Sequence, residues 1–352
     1  MTSRPQAPHT AAVVPLEVGP LAARFTTQKL TRRVFVHHLS AEPNPSFQAV
    51  NQILHEFPLK HFDLVEDPGN AEVVLYVDNG YVGLLDLPRL LRCVRAASSA
   101  IHLLFCESDW PFPVLPGAYP SLARSVPWAH SWAFLPGSNL KQLPQIESED
   151  QTPEYLFSFL GQITNHPIRA RLMQLDTLST PCMDVSQAPT RLAPFDYERS
   201  YLDLMRRSKF VLCPRGWGAS SIRIFETMAC GRVPVIISDN WFKGWRRPER
   251  CNWSDFSVSV PEHSVSSIPQ RLRAIEPLAA QMGMSARRIY QECFARNVFL
   301  DCLLDALLRR YSDYSFSTRA ILVRAIYTAR WRELRSVIHR VMKFGTTTLA
   351  VR

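Results

Sequence analysis

FVLCPRGWGASSIRIFETMACGRVPVIISDNW, from Phe210 to Trp241, packs unusual chemistry into a short stretch. Arg215, Gly216, Gly218, Ser220, Ser221, Arg223 and Glu226 all fall between two apolar runs. Glycines allow positive φ and let a ligand approach the backbone closely. Serines beside a helix start cap it or offer hydroxyls, and free N–H groups at the positive end of a helix attract anions. Two guanidinium forks add charge with a shape suited to phosphate oxygens. A diphosphate would fit this set. So would a simpler arrangement, in which a serine caps the helix that starts near Ser220 and an arginine pairs with Glu226. Neither G-x-G-x-x-G nor G-x-x-x-x-G-K-[ST] is present, so the common dinucleotide and P-loop fingerprints do not decide between them.

The elements that must hold this turn are readable from hydrophobic periodicity. In the first half, RRVFVHHL, AEVVLYVD and AIHLLFCES read as strands separated by helices at PSFQAVNQILHEF and LLDLPRLLRCVRAA, with HSWAFLP as a further strand. In the second, YLFSFLGQ, CMDV, KFVLCP, the run around VPVII and SDFSVSV alternate with helices at PIRARLMQLDTL, YERSYLDLMRRS and the stretch after Ser220. Such alternation predicts parallel sheets with crossover helices, and ligands at the carboxyl ends of the strands. The expected organisation is α/β. A leader covers residues 1–30, a first Rossmann-like domain 31–150, a second 151–312, and a basic helix 313–352, with a linker at Glu147–Glu154. A length of 352 residues suits two domains better than one.

Composition restricts the function classes. The eight cysteines are scattered singly with no C-x-x-C pair, which argues for reduced thiols and against a zinc site. The beginning of the sequence lacks a signal-peptide pattern, and no apolar run is long enough for a membrane span. A cytoplasmic location is therefore expected. Of the formal net charge of +9, most belongs to the end of the chain, where residues 315–352 carry eight Lys or Arg against one acid. There Val323, Tyr327, Trp331, Leu334, Ile338 and Val341 define one apolar helix face. That helix either packs on the body or docks on an anionic membrane surface as a peripheral anchor. Aromatic residues are not interleaved with its charges, which disfavours nucleic acid as a partner.

The block SKFVLCPRGWG followed by SIRIFETMACGRVPVIISDNW resembles the exostosin-like glycosyltransferase family. The similarity extends upstream into FSFLGQITNHPIRARLMQL and downstream through Asn252, Trp253, SDFSVSVPE and SIPQRLRAI, over roughly residues 155 to 300. The first half is similar only in ESDWPFPVLPGAYPS. The resemblance implies a GT-B arrangement, two Rossmann-like domains facing a cleft, with a nucleoside diphosphate sugar, by family habit a UDP-sugar, held by the second. Arg215 would contact the diphosphate, the turn from Gly216 through Gly218 to Ser220 and Ser221 would supply N–H groups, Arg169 and Arg223 would add charge, and Glu226 would bond the ribose. No metal or other cofactor is expected, since arginines and a helix terminus can stabilise the leaving group and the sequence has no D-x-D pair.

Inverting transfer to a glycan or lipid-linked acceptor, as in polysaccharide biosynthesis, then needs a general base from the first domain. Glu107 and Asp109, directly after the strand AIHLLFC, are the first candidates, and His38, at the end of the first strand, is the runner-up. Trp110, Trp128 and Trp132 are candidate stacking surfaces for an acceptor ring. A catalytically silent sugar-nucleotide-binding module or scaffold is the alternative, distinguished by binding without turnover.

Overall fold

Two parallel sheets, each with helices around it, make up a computed structural model that describes residues 31–328 apart from 41–42, 80–86, 124–125, 138–151, 187–193, 242–251 and 315–316. The first sheet contains β1 (Arg32–His37), β2 (Phe62–Leu64), β3 (Val73–Asp78), β4 (Ile101–Cys106), β5 (Gly117–Ala118) and β6 (Ala129–His130), in the order β2-β1-β3-β4-β5-β6. The second contains β7 (Tyr155–Gly161), β8 (Cys182–Asp184), β9 (Ser208–Pro214), β10 (Val233–Ile237) and β11 (Val258–Val260), in the order β11-β10-β9-β7-β8. Every pairing between these strands is parallel. Numbered within its own half, the first sheet therefore runs 2-1-3-4-5-6 and the second 2-1-3-4-5, both in the doubly wound order. Its crevice lies where the chain reverses direction across the sheet, between the first and third strands. In the first half that crevice is at the ends of β1 and β3, and in the second at the ends of β7 and β9.

The central strands read as continuous apolar runs because both of their faces are covered. All six residues of β3 are buried, and six of the seven in β9. Helices α1 (Pro45–Glu56), α2 (Leu87–Ala96), α3 (Pro167–Leu172), α4 (Pro194–Arg206), α5 (Arg223–Ala229), α6 (Ile268–Ile275), α7 (Ala279–Cys293) and α8 (Phe299–Tyr311) supply the covering layers. Local chemistry sets their ends. Asn44 caps α1 by accepting from Phe47 N–H, and Pro45 follows at the first helical position. At the far end of α5, Gly231 takes a φ of 65° while Gly231 and Arg232 N–H bond to Met228 and Thr227 carbonyls, a Schellman closure that turns the chain into β10.

One apolar core runs through both halves. Phe105 of β4 meets Phe299 of α8 edge to face at 5.8 Å, and Phe294 packs on both Phe225 and Trp132. Residues 318–328 continue the chain as a helix whose Ile321 and Ala325 join the core of the first half, while Thr328 Oγ1 bonds the Pro113 carbonyl. Arg32 onward clusters as one compact unit.

The structure departs from the sequence reading at four places. HSWAFLP is not a strand beyond Ala129–His130, and the ladder instead gains β2 and β5, three and two residues long, too short for any periodicity to show. The helix expected from Ser220 begins at Arg223, its N-cap is Ile222, and no side chain caps it. Gly216 and Gly218 do not have positive φ. In the terminal helix the packed residues are Ile321, Arg324 and Ala325, whereas Val323 and Tyr327 of the expected apolar face are exposed. The rest of that face lies outside the described residues, as do the leader and most of the linker at Glu147–Glu154. No helix among the described residues is long and apolar enough to cross a membrane.

Candidate functional site

The crevice of the second sheet is lined with cations. β7 ends at Gly161 and β9 at Pro214, and Arg215, Arg169 and Arg223 converge there from the strand end, α3 and α5. His166 caps α3 by accepting from Ile168 N–H, which sets Arg169 on the first turn with its side chain directed at the crevice. The three guanidinium groups are in different situations. Arg169 is buried and donates to three carbonyls, those of Arg215 at 2.9 Å, Gln162 at 3.1 Å and Pro214 at 3.5 Å. Burial, reinforced by the Arg223 charge, pulls it down to about 10. Arg223 is buried as well, lying over the Phe159 and Tyr201 rings and donating to the Leu160 carbonyl at 2.7 Å and the Tyr201 hydroxyl at 3.0 Å. Arg215 is different. Its Nη1 only approaches Glu262 at 3.9 Å, and its buried Nε has no hydrogen-bond partner.

The glycines allow close approach rather than an unusual backbone. A Cβ on Gly216 would press on the Arg169 guanidinium, and one on Gly218 would overlap both Asp109 Oδ1 and Ser121 Oγ. Gly218 is therefore where the two halves touch. The Asp109 carboxylate accepts from Gly218 N–H, and partial burial pushes its carboxyl above the usual aspartate range while that bond, Ser121 and Arg169 oppose the shift. Trp241, at the end of the same sequence block, secures the contact by donating its indole N–H to the Pro120 carbonyl and Ser131 Oγ, both at 3.1 Å. Ser220 is buried and its Oγ has no partner. An unpaired buried hydroxyl costs about 1–3 kcal/mol, and Arg215 Nε is likewise without a partner, so this turn carries two polar groups that a ligand with acceptor oxygens could satisfy.

Glu226 is buried and accepts from the Tyr201 hydroxyl at 2.6 Å, so Tyr201 relays between Arg223 and Glu226. Glu226 also lines a small cavity with Phe134, Leu135, Ile222, Phe225 and Tyr290. The sequence could not distinguish Arg215 from its two neighbours by residue type. Tyr201 and Ser121 were not foreseen, because only the fold brings them to the turn.

The proton-accepting candidates of the first half are not brought together. Glu107 is held in place, with Oε2 taking a 2.5 Å bond from Ser46 and Oε1 a 2.6 Å bond from Leu135 N–H. Burial raises its pKa against both of those bonds. His38 Nδ1 bonds the Ser40 carbonyl at 3.1 Å. A carbonyl only accepts, so Nδ1 is the donor in this bond. Asp109 alone of the three reaches the turn of the second half. Of the tryptophans, Trp132 is in the core and Trp128 donates to the Pro113 carbonyl beneath Tyr327, whereas Trp110 is exposed. Among the described residues no cluster of three or more His, Cys, Asp or Glu gathers to hold a metal.

Residues 126–275 match the Exostosin GT47 domain family, and over that segment the chain is exostosin-like. The match begins earlier than the resemblance suggested and takes in β6 and the Leu135 loop. An exostosin-1 homolog of Caenorhabditis elegans is 34% identical over 133 residues, 37% of this chain and 31% of that protein. A probable glucuronoxylan glucuronosyltransferase of Arabidopsis thaliana is 41% identical over 70 residues, 19% of this chain and 15% of the relative. The chain thus spans about a third or less of the length of these relatives. Solved structures with overall likeness include a glycosyltransferase of Rickettsia africae at 10% identity and TM-score 0.40, covering 80% of this chain and all of that one. The Anabaena protein HepE with UDP and glucose is 8% identical with TM-score 0.41, covering 79% and 99%. Likeness at this level leaves the architecture to be read from the two parallel sheets themselves.

Proposed function

We propose that this chain is a glycosyltransferase of GT-B-like arrangement that takes a hexosyl or glycuronosyl group from a nucleoside diphosphate sugar, with a uridine nucleotide as the first expectation. The acceptor is a glycan or lipid-linked saccharide. The observation that carries the proposal is the pair of orphaned groups at the second crevice, Arg215 Nε and Ser220 Oγ, on a glycine turn backed by two further buried arginines. Names of relatives, an exostosin-1 homolog and glucuronosyltransferases among them, support the reaction class.

The proposed chemistry is a direct displacement. The acceptor hydroxyl oxygen bonds to the anomeric carbon as the bond from that carbon to the diphosphate oxygen breaks, and the hydroxyl proton passes to Asp109, giving inversion. Negative charge developing on the leaving diphosphate is met by Arg215, Ser220 Oγ and the backbone N–H groups of the turn, with Arg169 and Arg223 behind them as fixed charge. Donors preorganised in this way stabilise the transition state without reorganising, so no metal is required in this scheme. Glu226, next to the turn and bonded to Tyr201, would take the ribose hydroxyls. Asp109 already bonds Gly218 N–H, so donor and base exchange partners on the same amide.

Arg215→Ala should weaken binding of UDP by about 10 to 100-fold, since a hydrogen bond to a charged group contributes about 1.5–3 kcal/mol. Isothermal titration with UDP, GDP and ADP reads this directly. Full nucleotide affinity and full transfer in folded Arg215→Ala and Glu226→Ala proteins would rule the proposal out. Nucleotide binding with no release of nucleoside diphosphate in the presence of acceptors would leave the silent binding module instead.

A further inference from the structure

Six tryptophans lie among the described residues, and four are held in place. Trp128 donates to the Pro113 carbonyl, Trp132 packs on Phe294, Trp241 donates across the cleft, and Trp253 packs on Trp241 and Phe256. Trp110 and Trp217 are not. They are 45% and 59% exposed, and neither ring packs on another aromatic ring among the described residues. Tryptophan is highly buried on average, so two open indoles on one molecule call for a reason.

Their positions give one. Trp110 follows Asp109 and Trp217 precedes Gly218, and Asp109 and Gly218 are the residues bonded to each other across the cleft. Trp110 and Trp217 are therefore brought near one another from opposite halves, with Cα atoms within about 15 Å, and both are exposed. An aromatic plane is apolar on its face and wet at its edge, and a pyranose ring has a matching form, a C–H face rimmed by hydroxyls. Stacking buries the first against the first and leaves the hydroxyls free for directional bonds. The carboxylate of Asp109, beside Trp110, is the acceptor for one of them.

We propose that Trp110 and Trp217 form a saccharide clamp at the mouth of the cleft, holding the acceptor glycan by its ring faces with one hydroxyl directed at Asp109. This rests on the glycosyltransferase reading above. It adds the residues that select the acceptor and the chemical class they select, a pyranose with an unobstructed C–H face. Trp110 lies outside the turn assigned to the donor, whereas Trp217 is on that turn, so effects on acceptor and donor are measured separately for each indole.

The test uses the full chain with Trp110→Ala, Trp217→Ala, both together, and the ring-retaining Trp110→Phe and Trp217→Phe. Titrations are run with UDP and with cello-, xylo-, chondroitin- and heparosan-type hexasaccharides. Whichever saccharide the parent protein binds should bind each alanine variant about tenfold more weakly, a loss the size of one aromatic contact. The double variant should lose more, the phenylalanine variants should recover part, and UDP affinity of the Trp110 variants should stay within about twofold. Unchanged saccharide affinity in the double variant, or no binding of any of the four by the parent, would overturn the clamp. Loss of UDP affinity in Trp217→Ala equal to its loss of saccharide affinity would overturn it too, giving that indole to the donor base. Failure of the underlying reading is separately visible, as absence of nucleoside diphosphate binding to the parent protein.

Discussion

The two crevices of this molecule share a strand order and differ in everything that faces them. In the first half the ends of β1 and β3 present His37, His38 and Asp78, with Asn44 bonding the Val77 carbonyl, and Glu107 closes the end of β4. In the second, the ends of β7 and β9 present Arg215, Arg169 and Arg223. Topology fixes where a ligand sits in such sheets, and side chains fix which charge it has. Under the proposed function the first half would take the proton and the second hold the diphosphate, and Asp109 on Gly218 N–H is where the two halves meet.

The largest expected effect breaks that meeting point. Asp109→Asn should lower kcat for transfer by about 10²- to 10⁴-fold, the usual scale for loss of a general base. UDP affinity should hold or rise, because a neutral amide competes less well than a carboxylate for Gly218 N–H. Steady-state kinetics beside calorimetry gives both numbers, and a parallel fall in UDP affinity would move Asp109 from base to structural latch. Next in size, Arg169→Met removes donors from three carbonyls and should destabilise the fold by about 2–3 kcal/mol, seen as a lower urea midpoint. Ser220→Ala should leave stability unchanged or slightly raised and weaken UDP binding by about three- to tenfold, one neutral hydrogen bond.

Two pH effects sharpen the contrast further. Transfer needs ionised Asp109, whose carboxyl lies above the ordinary 3.8, so kcat/KM should rise with pH through a limb displaced upward from that value. Mutation to Asn should remove this limb. The smallest effect concerns Glu107. Its folded pKa is raised, so its contribution to stability is complete below the unfolded value near 4.5 and declines as pH rises through the folded value. Glu107→Gln keeps an oxygen for Leu135 N–H and should flatten that decline in urea titrations between pH 4 and 7, with transfer little changed.

The second half was the more legible of the two because its signals reinforce one another. Continuous apolar strands, a glycine turn and a strand again leave little choice of topology; β7, β9 and β10 fall where periodicity put them, and β11 keeps only the last three residues of SDFSVSV. Two errors there share a cause: Ser220 and Ser221 are good caps in general, but the chain runs three more residues before its first helical turn, leaving Ser220 Oγ open. Arginine type alone could not show that Arg169 and Arg223 bind carbonyls while Arg215 keeps an open edge. In the first half, β5 and β6 are two residues each and are created by pairing, which no local pattern encodes. At the end of the chain, a helix apolar on more than one side allowed the wrong face to be chosen, and Ile321 and Ala325 are the residues that pack.

The helix over 318–328 returns to the first half after α8 has left the second. The polypeptide therefore passes between the two halves twice, once before Tyr155 and once by α8, where Phe299 meets Phe105 and Asp301 accepts from Lys60 and His61 N–H. Two crossings and an apolar core shared by both halves tie Gly218 and Asp109 together by more than their own contact, so the approach of the two strand ends is set by the whole compact unit.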